Sequence, residues 1–68
     1  MSQAIVAAAQ RQMGELEKLI AQQSAVLERL VAAGRDASQA SRTIQSLQKT
    51  LLLTKEHVRF LLREEDEA

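Results

Sequence analysis

The side chains with the types to do chemistry in this 68-residue sequence are one histidine, a few serines, nine carboxylates and nine lysine or arginine cations. A general base or a nucleophile needs a partner group within hydrogen-bond reach, and a metal needs several donors at ligand spacing. His57 is the only histidine and there is no cysteine. Glu56 is its neighbour in sequence and so points elsewhere on a helix. Ser24, Ser38, Ser41 and Ser46 have no base arranged to activate them. These residues read as structural or solvated, so a non-enzymatic chain with no metal and no cofactor is expected.

The cations have more pattern. Arg35, Arg42 and Lys49 recur every seven residues, which predicts one outward helix face. Six bases and two acids lie between Arg35 and Arg63, a net charge of +4. Such a stripe can track a phosphate backbone. Against that use, the whole chain is neutral, and no aromatic sits in the stripe to stack on bases. A solvated face is the preferred reading, and nucleic-acid contact through Arg35, Arg42 and Lys49 is the second. The block Glu64-Glu65-Asp66-Glu67 puts negative charge at a helix C-terminus, where the macrodipole opposes it. It is expected to fray into a solvated tail.

The composition favours helices as the elements that carry these residues. Hydrophobic residues make up 46% of the chain. Ala and Leu dominate them, and both lead the helix-propensity scale, while strand-favouring residues are few. Proline is absent and glycine occurs twice. No apolar run approaches the ~18 residues of a membrane span. Ala4–Ala9 is too short, with no basic segment before it, for an export signal. A cytoplasmic protein without a membrane partner is expected.

Gly34-Arg35-Asp36 is the strongest break. Glycine suits the left-handed residue that ends a helix, and an Asp two residues on suits a helix start. Gln39 can complete a relaxed capping box, Ser38 is the alternative cap, and Ser2 is a plausible cap for the first helix. The expected single domain, residues 1–68, is therefore helix 1 over about 3–33, a turn at 34–36, helix 2 over about 37–63 and an acidic tail at 64–68. In helix 1, Val6, Ala9, Met13, Leu16, Ile20, Gln23, Leu27 and Leu30 advance in alternating steps of three and four. Ala37, Ala40, Ile44, Leu47, Leu51, Thr54, Val58 and Leu61 do the same in helix 2. Each series is a coiled-coil seam of about four heptads. Matched lengths and a short connection imply an all-α fold, an antiparallel two-helix hairpin. Its register puts Met13 near Val58 and Ala9 near Leu61. Gly14 falls at the level of His57, and close approach of His57 or Val58 would explain a mid-helix glycine.

Each helix carries more apolar surface than one seam. Ile5, Leu19, Val26 and Ala33 flank the first seam, with Gln12 interrupting them, and Val31 lies on the other flank. Leu52, Leu53, Phe60 and Leu62 lie outside the second. Apolar patches that a hairpin leaves open mark an interface. Two hairpins joined as a homodimeric four-helix bundle would cover them and would stabilise a chain this small. Leu19, Val26, Leu53 and Phe60 are the expected oligomer or partner interface. An unidentified protein partner is the competing occupant. Gln23 and Thr54 are polar seam positions, which need hydrogen-bond partners if buried.

The stretch from Val26 to Glu64 resembles a group of short alphaproteobacterial helical-hairpin proteins. The resemblance rests on Leu30, Gly34 and Asp36 at the turn, on Leu51–Leu53, and on His57, Leu61 and Leu62. It implies the hairpin and brings no activity with it. In shape the chain is similar to the plasmid RNA-binding four-helix bundle of the Rop type. It is also similar to the small helical co-chaperones of type III secretion, which sheathe a partner's hydrophobic helix. A shared shape does not carry function.

Overall fold

The computed structural model describes residues 2–67, and the side chains of residues 3–64. It contains two helices, α1 (Ser2–Ala32) and α2 (Ser38–Glu67). They pack along their lengths as an antiparallel hairpin about 55 Å long and 14 × 11 Å across. The Ser2 side chain, expected to cap α1, lies outside the described residues.

The turn is built by local hydrogen bonding. Gly34 adopts φ 66°, and every other described residue with positive φ is absent. Its N–H donates to the Val31 carbonyl at 3.0 Å, and the Arg35 N–H donates to the Leu30 carbonyl at 2.9 Å. This pair of bonds is a Schellman closure, which satisfies the orphan carbonyls at a helix end. On the far side, α2 begins at Ser38, one residue later than expected. The Ala37 carbonyl accepts the Ser41 N–H at 3.0 Å. Asp36 therefore sits one residue before the backbone cap. Its carboxylate accepts the Ser38 N–H at 3.0 Å, and also the Ser38 hydroxyl.

The seam is as the spacing requires. Val6, Ala9, Leu16, Ala40 and Val58 are buried. The remaining seam positions are half-buried. Val6, Ala9 and Val58 form one cluster, with Met13 and Leu61 packed against it. This agrees with the expected register at the open end of the hairpin.

Two expectations are corrected. The first concerns the acidic tail: α2 continues through Glu67 rather than ending near Arg63. Glutamate is a good helix former, and no Gly or Pro follows Arg63 to stop the chain. The macrodipole penalty, roughly 0.3–1 kcal/mol at an exposed end, is too small to stop it alone. The second concerns Gly14, which is exposed, and a Cβ built there meets nothing within 4 Å. Gly14 directly follows seam residue Met13, whereas His57 directly precedes seam residue Val58. Those positions lie on opposite flanks of an antiparallel pair, so equal height does not bring them together. Thr54 has the hydrogen-bond partner that a polar seam position needs. Its hydroxyl donates to the Thr50 carbonyl at 2.9 Å, so its own helix satisfies it. Gln23 is half-buried, and no described buried side-chain nitrogen or oxygen lacks a partner.

The two glycines should respond in opposite directions. Gly34→Ala forces a left-handed alanine and is expected to cost about 1–2 kcal/mol. Gly14→Ala removes a flexible residue from an open helix surface and should stabilise by about 0.5–1 kcal/mol. Denaturant titration at matched protein concentration checks both signs.

Candidate interaction face

An antiparallel seam decides which flanks share a side. A residue directly before the first core position of a heptad on one helix lies on the same side as its counterpart on the other. On α1 that flank holds Ile5, Gln12, Leu19 and Val26. On α2 it holds Thr43, Thr50 and His57, with Ser46, Leu53 and Phe60 next outward. Leu19, Val26, Leu53 and Phe60, predicted from spacing alone as an interface, thus fall on one side of the rod.

Exposure separates this side into two halves. Ile5 (52%), Leu19 (44%), Leu53 (57%) and Phe60 (49%) are large apolar side chains left open to water, while Val26 is half-buried. Leu53 and Phe60 form a ridge on the half of α2 nearer the open end. The half of α2 nearer the turn carries instead a shallow groove lined by Gln39, Arg42, Thr43, Ser46, Leu47 and Thr50. Gln39 and Ser46 continue the seven-residue series of Leu53 and Phe60, with polar side chains in place of bulky apolar ones. Val31, Leu52 and Leu62 are also exposed. Their heptad positions put them on the other side, where no groove accompanies them among the described residues.

The groove was not anticipated from the sequence. Its signal was present as a run of small residues on the line of the ridge. Two of its three hydroxyls are already satisfied. Thr43 donates to the Gln39 carbonyl and Thr50 to the Ser46 carbonyl, both at 3.0 Å. Covering a hydroxyl is costly when its donor is stranded. These two donors are turned onto the helix backbone, so an apolar occupant does not strand them.

The predicted basic stripe is not assembled as expected. Arg35 lies in the turn, outside α2, and its spacing from Arg42 does not carry it onto the same helical face. Along α2 the seven-residue series runs Arg42, Lys49, Glu56, Arg63, with an acid in third place. His57 is exposed, on the flank beside the ridge. No group of three or more His, Cys, Asp or Glu residues that could hold a metal exists among the described residues. No helix among them is long and apolar enough to cross a membrane.

No family model matches the chain, and no curated protein or solved structure is similar enough to it to count as a match. What the face can do therefore rests on its own geometry. The groove is shallow and lined from a single helix, so it does not enclose a small molecule. The exposed ridge of Leu53 and Phe60 offers apolar surface to another helix.

The turn that aligns the two flanks has a pH signature. Hydrogen bonds from the Ser38 hydroxyl and then from the Ser38 N–H hold the Asp36 carboxyl below the usual aspartate range. A carboxyl with a lowered folded-state pKa stabilises the fold above its unfolded pKa of about 3.9 and loses that contribution as pH falls through the lowered value. Asp36→Ala should therefore melt lower than the parent at neutral pH, and the gap should close in acid. An equal gap at pH 7 and pH 2 in thermal scans would contradict this role.

Proposed function

We propose that the chain is a non-enzymatic, self-associating interaction module, a homodimer whose two hairpins join as a four-helix bundle through the face of Leu19, Val26, Leu53 and Phe60. The surface area carries this reading. The hairpin exposes 5318 Å², whereas a compact monomer of this mass exposes roughly 4,250 Å². The excess, on the order of 1,000 Å², is similar to the ~800 Å² that each partner buries in a standard interface. Losing that excess would raise the buried share of the chain's surface from about one half to the ~60% usual for a domain this small.

An exposed apolar ridge on α2, on the same side as Ile5 and Leu19 of α1, fits a helical occupant. The same face could sheathe a helix of another protein, and a phosphate backbone would have to use Arg42 and Lys49 across Glu56. A second copy is the reading with quantitative support, because the shortfall in burial belongs to the chain itself.

Sedimentation equilibrium at micromolar concentration should give 15 kDa, twice the chain mass of 7.5 kDa. A folded 7.5 kDa species would contradict self-association. Phe60→Asp and Leu53→Asp each place a charge in the interface and should weaken association by at least about 100-fold. Unchanged mass and melting in both variants would remove those residues from the interface.

A further inference from the structure

The face is asymmetric along the rod, and the asymmetry selects how two copies meet. Resting on the self-association proposed above, we infer that the two hairpins pack antiparallel, with their turns at opposite ends and α2 of each copy laid along α2 of the other.

Two face-to-face arrangements have the two-fold symmetry of an ordinary homodimer. In one, the axis runs along the rods and the turns lie at the same end. In the other, the axis runs across the rods and the turns lie at opposite ends. The second places the bulky half of each α2 over the small half of its mate. Phe60 then lies over Thr43, and Leu53 over Thr50, so that the exposed ridge fills the groove twice. Shape complementarity of this kind, large against small, is how facing helices reach interior packing density. The first arrangement instead sets the Leu53 and Phe60 ridge over Leu19 and Gln12, so bulk meets bulk and the groove stays empty; the Gln12 amide meets an apolar side chain in either arrangement, Phe60 in the first and Val26 in the second.

The helices agree on where the axis falls. Matching ridge to groove puts it between Leu51 and Leu52 on α2. The flank of α1 puts it at Leu19, which then meets its own symmetry mate, with Ile5 opposite Ala33. In the hairpin register Leu19 lies at the height of Leu51 and Leu52, so one axis serves both helices.

Charge points the same way. The Glu64–Glu67 segment carries four carboxylates in a row at the open end, while residues 28–42 around the turn carry three arginines, Arg29, Arg35 and Arg42, against two acids, Glu28 and Asp36. Turns at the same end would hold two four-carboxylate segments side by side. Turns at opposite ends separate them and bring each beside the arginines of its mate. Like charges at close quarters cost free energy and opposite charges steer approach.

The absence of cysteine makes the test direct. A single spin label on Arg35→Cys, at the turn, reads the distance between the two turns by double electron–electron resonance. The antiparallel arrangement predicts about 45–50 Å from a rise of 1.5 Å per residue on either side of the axis. A second label on Ala32→Cys should give about 40 Å by the same rise. Distances under about 25 Å at the turn, near the spacing of neighbouring helices, would overturn the topology while leaving self-association standing. A helical, labelled chain with no interspin distance at micromolar concentration would overturn self-association itself.

Discussion

Two helices lying side by side can each bury one stripe. Everything else about this chain follows from that limit. The seam from Val6 to Leu61 is filled, yet among the described residues only five hydrophobic side chains are buried and none is wholly sealed from solvent. A third helix would cover the flanks. The described residues form two helices, and Ile5, Leu19, Leu53 and Phe60 stay open. With no cysteine to crosslink it and a small core, the hairpin would gain apolar burial from the second copy proposed above.

The turn has a larger role than joining the helices. The left-handed Gly34, the Schellman bonds and the Asp36–Ser38 contact fix the direction and start of α2. That direction makes equivalent flanks of α1 and α2 share a side. Any connection that keeps this antiparallel seam keeps Leu19 and Phe60 on one side, and the turn sets where α2 starts along it. The Thr43 and Thr50 hydroxyls folded onto α2 lower the cost of covering that half of the side.

The seam and the hairpin were legible because a heptad period is a global property, summed over many residues and insensitive to any one of them. Ala9 and Val58 are buried together as their spacing requires. The features that escaped are each settled by one or two atoms. Whether α2 stops at Arg63 or runs to Glu67 turns on a small dipole penalty set against the helix propensity of glutamate. Gly14 and His57 share a height but not a side, and a count of residues to the turn reports only height. Arg35 keeps the seven-residue beat of Arg42 and Lys49, yet the turn removes it from their helix. The groove beside Thr43 and Thr50 escaped because reading for apolar residues overlooks the places where bulk is missing, and it is there that a partner's bulk fits.

The proposed self-association would make folding and association one equilibrium. Thermal melting followed by circular dichroism at protein concentrations from about 1 to 300 μM tests that most directly, since only a linked association makes Tm depend on concentration. Self-association predicts a single transition that rises steadily in temperature with concentration. A transition at the same temperature across the whole range would show that the hairpin stands alone, and would contradict the claim that its open face belongs to a second copy.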